Sequence, residues 1–192
     1  MTIAELNEEI RLAVRAYDPE SESRLVFGDG KNDEPVLMLL GEAPGENEVK
    51  QGRPFVGKAG QNLSEFLALA GLTRGEIWVS NAVKYRTVQP GKNGGWKNRT
   101  PSEQEIVMMA EYLEKEIRIV QPRVIVTLGN TPLRAVMGKG VTVGETHGRM
   151  LTRADGQQVF SLYHPAAIIY RRELKSVYEQ DILRLKETVL NG

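Results

Sequence analysis

The feature that most restricts the fold is a repeated alternation. Four short apolar runs, at residues 36–40 (VLMLL), 77–80 (IWVS), 124–128 (VIVTL) and 159–162 (VFSL), end at Gly41, Asn81, Gly129 and Tyr163-His164-Pro165. Between them lie stretches with apolar residues three or four apart, such as Leu63, Phe66, Leu67 and Ala70, or Ile106, Met109, Ala110, Leu113 and Ile117. Short, near-continuous apolar runs read as strands buried on both faces, and the wider spacing reads as helix. The alternation predicts an α/β fold, a three-layer α-β-α sandwich around a central four-stranded parallel sheet. The length predicts a single domain over residues 1–192.

Punctuation residues place the other elements. Ile3, Leu6, Ile10, Ala13, Val14 and Tyr17 share one helical face, and Asp18-Pro19 stops that helix. Residues 25–27 are expected to form a short edge strand before Gly28-Asp29-Gly30. Gly60 is expected just ahead of the helix that carries Leu63, where free N–H groups can hold a phosphate or where a glycine merely allows close packing. Residues 87–100 (TVQPGKNGGWKNRT) read as a long irregular loop. A capped start at Thr100-Pro101-Ser102-Glu103 opens a helix to about residue 119, residues 138–147 read as a loop, and a last helix covers about residues 173–189. Asp155-Gly156 between apolar runs signals a hairpin.

Composition narrows the chemistry. The chain has no cysteine, which excludes disulfides, thiolate nucleophiles and every cysteine-ligated metal or iron–sulfur site. With two histidines, His147 and His164, a histidine-rich zinc site is not expected either, so no metal site is assigned. There is no apolar run long enough for a membrane span and no signal-peptide core, so a cytoplasmic location without membrane contact is expected. Lys and Arg together number 25 and so do Asp and Glu, so any basic surface must come from clustering. Two clusters stand out: Lys84, Arg86, Lys92, Lys97 and Arg99 around Trp96, and Arg171, Arg172 and Lys175.

Ligand sites in open α/β sheets lie at the carboxyl ends of the strands. Three of the four runs deliver polar residues there: Glu42 after the first, Asn81 after the second and His164 after the fourth. A parallel sheet points these ends the same way, so the three can meet in one pocket. Each alone has a plainer explanation, such as a turn cap for Asn81. Their joint placement is what marks the site.

The blocks around those positions resemble the family 4 uracil-DNA glycosylases. GEAPGENE at 41–48 with QGRPFVGKAG at 51–60 is similar to the family's GEAPGEEED…GRPFVGxAG. NAVKYR at 81–86, NRTPSEQEI at 98–106, PRVIVTLG at 122–129 and HPAAIIYRR at 164–172 resemble its NVVKCRP, NRxPTPEEI, PKVIVALG and HPSxLLR blocks. The resemblance therefore runs along nearly the whole chain. Two departures accompany it. Asn47 and Val49 stand where the first block usually has acids, and Tyr17, Glu20, Tyr85 and Met109 stand where the family has the four cysteines of its iron–sulfur cluster. No cofactor is expected, and packing by Tyr17, Tyr85 and Met109 is expected to replace the cluster's structural role.

The resemblance implies a monofunctional enzyme that flips deoxyuridine out of DNA and hydrolyses its glycosidic bond, leaving an abasic site. It implies Phe55 as the ring that stacks on the base and Asn81 as the amide that reads it. It also implies His164 as the donor to uracil O2, which leaves Glu42 as the nearest ionisable group to position water. Ala43 occupies the place where better-known uracil glycosylases carry an aspartate, and Glu48 is the expected guard against the thymine methyl. Lys84, Arg86, Gly57, Gly60, Arg171 and Arg172 are assigned to the DNA backbone, and Ile168 to the emptied base stack. The expected partner is uracil-containing DNA, single- or double-stranded, met by a monomer. A covalent-trapping branch uses a histidine after the NAVK-like block, and residues 87–100 contain none. The remaining rival is a uracil-DNA or single-strand binding module without catalysis, which has no need for Glu42, Phe55, Asn81 and His164 together.

Overall fold

The four apolar runs form the centre of the sheet. A computed structural model describes residues 1–92, 94–165, 167, 171 and 173–190. In it β2 (Leu37–Gly41), β3 (Ile77–Asn81), β6 (Val124–Leu128) and β8 (Gln158–Leu162) run parallel in the order β3-β2-β6-β8. Two short antiparallel strands extend the sheet to six: β1 (Asp29–Gly30) beside β3, and β7 (Met150–Thr152) beside β8. The expected parallel core and the Asp155-Gly156 hairpin are both present.

Successive side chains of a strand point to opposite faces, and the core divides accordingly. Leu37, Leu39, Ile77, Val79, Val124, Val126, Phe160 and Leu162 face one apolar cluster with helices α3 (Gly57–Ala70) and α7 (Leu174–Leu190). Met38, Leu40, Trp78, Ile125 and Val159 face the other, under α4 (Glu103–Val120) and α5 (Asn130–Met137). A third cluster joins α1 (Ile3–Tyr17), through Leu6, Ile10 and Val14, to Val83, Tyr85 and Met109. α1 starts on a Thr2–Glu5 capping box and ends at Asp18, before Pro19.

Four local expectations are corrected. Residues 25–27 make only a single antiparallel bridge, Leu25 to Tyr85, with Leu25 and Phe27 drawn against the α1 cluster, and the edge strand lies at Asp29–Gly30. Residues 87–100 hold an antiparallel hairpin, β4 (Val88–Pro90) with β5 (Trp96–Asn98), closed where the Gly91 N–H donates to the Gly95 carbonyl at 2.6 Å. Residues 138–147, read as a loop, contain a short helix, α6 (Val143–Thr146); a further short helix, α2 (Glu46–Gln51), follows β2. Tyr17 is 48 % exposed, so only Tyr85 and Met109 of the three expected packing residues are buried.

Candidate active site

The site begins with strand register. Gly41 lies opposite Asn81 across the β2–β3 pair, so the loops that follow leave the sheet side by side. They remain joined: the Ala82 and Val83 N–H groups donate to the Gly41 and Glu42 carbonyls at 2.9 and 3.0 Å. On the other side, the Gly129 N–H donates to the Leu162 carbonyl at 2.8 Å, which fixes the chain two residues before His164. One cleft of about 60 Å³ results, lined by Gly41, Glu42, Ala43, Pro44, Glu48, Phe55, Asn81 and His164. Every residue expected at the base, catalytic or reading, is in that lining.

Gly41 is what lets two of them approach. A methyl group there would fall 2.4 Å from Asn81 Oδ1 and 2.8 Å from the Phe55 ring tip. Asn81 continues the alternation of Ile77 and Val79 and so faces the same side as Phe55. Glu42 is one residue beyond Gly41, and its carboxylate accepts from Thr131 Oγ1 at 2.6 Å, at the start of α5. Glu48 caps α2 by accepting from the Gly45 N–H at 3.1 Å, so this carboxylate is fixed at the rim of the cleft. His164 is exposed, yet the protein packed around its ring lowers its pKa below the ordinary imidazole value, and the nearby Glu42 charge opposes that shift. A lowered pKa favours the neutral ring, which can still donate from one nitrogen. The second histidine, His147, lies elsewhere, with Nδ1 2.7 Å from Asp181 Oδ2.

The DNA-contact expectations divide. Lys84 is corrected: its side chain is 1 % exposed and its Nζ is 2.5 Å from Glu116 Oε2, 2.5 Å from the Asn81 carbonyl and 2.9 Å from Ser80 Oγ. It turns back under the strand instead of reaching solvent. Glu116 of α4 is buried with it and also accepts from Trp78 Nε1 at 3.0 Å. Arg86 ties Asn98 Oδ1, at 2.7 Å, to Glu46 of α2. Gly57 opens α3 and Gly60 falls inside it, not ahead of it; a methyl on Gly60 would sit 2.9 Å from the Phe55 carbonyl, so close packing accounts for that glycine. Arg171 is exposed, and it lines a second cleft beside His164 with Gly129, Tyr163 and Leu174. Ile168 and Arg172 lie outside the described residues.

An iron–sulfur cluster does not fit the residues that stand at its expected positions. Tyr85 and Met109 are each 1 % exposed within the third apolar cluster, and neither offers a thiolate. Beside them Tyr85 Oη meets Glu105 at 3.3 Å, and Arg99 grips Glu105 with two nitrogens at 2.6 and 2.7 Å. That fork ties the hairpin to α4.

Sequence reasoning missed two contributors. Thr131 looks like any first-turn threonine, and Arg74, treated below, like any charged residue ahead of a strand. Neither carries a motif.

A flat aromatic ring, an amide, an imidazole and a carboxylate around one small cleft define a site for a planar polar heterocycle. The family model described as "Uracil DNA glycosylase superfamily" matches residues 27–185, and the chain belongs to that superfamily. It is similar to the Type-4 uracil-DNA glycosylase of Sulfurisphaera tokodaii, 36 % identical over 166 residues, covering 80 % of this chain and 70 % of the relative. It is also similar to the Type-4 uracil-DNA glycosylase of Pyrobaculum aerophilum, 33 % identical, covering 95 % and 92 %. Among solved structures, wild-type SMUG2 of Pedobacter heparinus shares the fold at a TM-score of 0.58 and 14 % identity, covering 96 % of this chain and 85 % of that one.

Proposed function

We propose that the chain acts as its Type-4 relatives are named, releasing uracil from DNA by hydrolysis and leaving an abasic site. The observation that carries this reading is the lining of one cleft by Glu42, Phe55, Asn81 and His164. A deoxyuridine flipped from the helix stacks on Phe55. The Asn81 amide donates to uracil O4 and accepts from N3–H, whereas cytosine offers a donor and an acceptor in the reverse places. Neutral His164 donates to O2 and stabilises negative charge on the departing base, while the sugar gains positive character. Glu42, held by Thr131, opposes that positive charge and positions water. Ala43 leaves room beside the base, and Glu48 at the rim is the group placed to meet a thymine methyl. No lysine is among the described residues that line the cleft, which supports hydrolysis without a Schiff base. Tyr85, Met109 and the Arg99–Glu105 pair support function without an iron–sulfur cluster.

The DNA strand passes the rim, gripped by Lys92 and Lys97 on the hairpin side and by Arg171 on the His164 side, with Arg172 next to Arg171 and Ile168 three residues before it in sequence. The test is single-turnover release of uracil from a deoxyuridine oligonucleotide at saturating enzyme. Wild type should release uracil, and Asn81→Asp should slow release and admit cytosine, since base-edge mismatches are worth ~1–3 kcal/mol. No release by wild type sinks the enzyme reading; unchanged base preference in Asn81→Asp sinks the role of the amide.

A further inference from the structure

Phe55 has an unusual backbone for an aromatic residue. Its φ is +53°, in the left-handed region that side chains with a Cβ rarely enter. Such strain persists where the surroundings over-determine it, and it concentrates at functional sites. The Phe55 ring contributes to the cleft from this turn, and only 8 % of the residue is exposed.

Arg74 holds the turn from behind. Its Nη2 donates to the Pro54 carbonyl at 2.9 Å, and its Nη1 reaches the Phe55 carbonyl at a longer 3.5 Å. The same Nη2 lies 3.2 Å from Asp29 Oδ2, and that oxygen also receives Arg53 at 2.7 Å. An arginine whose task was only to neutralise Asp29 would have no need of the two carbonyls. Nor does Arg74 line the cleft itself. It sits in the 3-10 turn Arg74–Glu76 that feeds directly into β3, the strand that ends at Asn81. One continuous segment, turn plus strand, therefore presents the reading amide at its far end and braces the stacking ring at its near end.

We infer that Arg74 is a positioning residue, which keeps the Pro54–Phe55 turn in its left-handed form so that the ring is set for a base before DNA arrives. The inference rests on the reading of the cleft as a uracil pocket. Without the brace the turn relaxes toward ordinary backbone angles, and the ring must be re-ordered each time a base is flipped. The loss falls on the flipped, stacked state and not on the grip of the phosphates.

Two measurements separate the brace from the pocket. Hydrogen exchange over residues 52–57 needs no substrate: Arg74→Met should speed exchange there by roughly tenfold while leaving β3 unchanged, the pattern of a local opening. Unchanged exchange overturns the brace, whatever the enzyme does. In single turnover on a deoxyuridine oligonucleotide, Arg74→Met should slow release by roughly tenfold, the lower part of the range for one base–aromatic stack, with half-saturation moved by less than about twofold. Arg74→Lys, which can still donate to the Pro54 carbonyl, should recover most of that rate. Equal defects in Met and Lys, or a defect confined to half-saturation, would overturn the positioning role. If Arg74→Met does not fold, Arg74→Gln is read by the same two measurements. A wild type that releases no uracil overturns the pocket reading, while the exchange result still decides the brace.

Discussion

Asn81 and Phe55 face each other across Gly41, yet they are held in different ways. Beneath Asn81, on the opposite face of the sheet, lies an ion pair whose partners are 1 % and 4 % exposed, with Lys84 also donating to the carbonyl of Asn81 itself. Behind Phe55 lies an arginine whose side chain is 29 % exposed, bracing a strained turn through carbonyl oxygens and sharing a surface aspartate with Arg53. An amide that must match two edge atoms of a base tolerates little displacement, and a buried pair makes displacement expensive. A ring that supplies a flat surface tolerates sliding, so a partly solvated brace is enough. On the proposed reading of the cleft, the contact that needs the closer match has the drier support.

The contrast breaks first at Lys84. Lys84→Met leaves Glu116 charged and unpaired in the core, which should remove ~3–5 kcal/mol of stability in urea denaturation. Lys84→Met with Glu116→Leu should regain most of it. A single variant within about 1 kcal/mol of wild type would show that the pair is not the support of Asn81.

Acid provides the second test, through the Arg99–Glu105 fork that ties the hairpin to α4. Burial raises the Glu105 pKa, but hydrogen bonds from Arg99 and Ser102 outweigh it and bring the group to about 2. A depressed carboxyl pKa contributes stability that is complete above the unfolded value, near 4.5, and is lost as pH falls toward 2. At ~1.4 kcal/mol per unit, up to a few kcal/mol should vanish across that window. Glu105→Gln should be less stable at neutral pH and flatter in acid. An identical acid limb in variant and wild type would assign the loss to other carboxylates.

Phe55→Leu sharpens the other wall. It nearly conserves volume, so stability should fall by less than ~1.5 kcal/mol. Losing the flat ring should nevertheless slow uracil release by roughly tenfold. A stability loss as large as that of Lys84→Met would mean that the two walls are held alike. The smallest effect belongs to the rim. Arg171→Ala should lower the slope of log affinity against log salt by ~0.9, with the single-turnover rate at saturation kept. A rate loss at an unchanged slope would move Arg171 from the grip to the chemistry.

Much of this was legible in the chain. Parallel strands dictate that Glu42, Asn81 and His164 emerge on one edge, and alternation along β3 sets which way Asn81 faces. Phe55 was reachable only through the resemblance of its block, because one aromatic after a proline carries no pattern. Lys84 was misread because a lysine's charge says nothing of where its stem turns. Its partner could have been found: Glu116 lies three residues after Leu113, on the apolar stripe of α4, and Glu105 lies four before Met109 on the same stripe. A carboxylate on an apolar stripe needs a buried partner. The hairpin in residues 87–100 was hidden by its own glycines, which signal irregular chain as readily as a tight reversal.

The two outer strands have a consequence for the molecule in a crowded solution. With 25 positive and 25 negative side chains and an isoelectric point near 6.8, neighbouring copies at neutral pH have little long-range repulsion to keep them apart. A parallel sheet with long open borders would then invite one copy to zip onto the next. Here the borders are β1, of two residues, and β7, of three, both reversed in direction relative to the strands they cover. Little backbone is left at either margin for a neighbour to pair with, so the short reversed edges oppose edge-to-edge zipping where net charge does not.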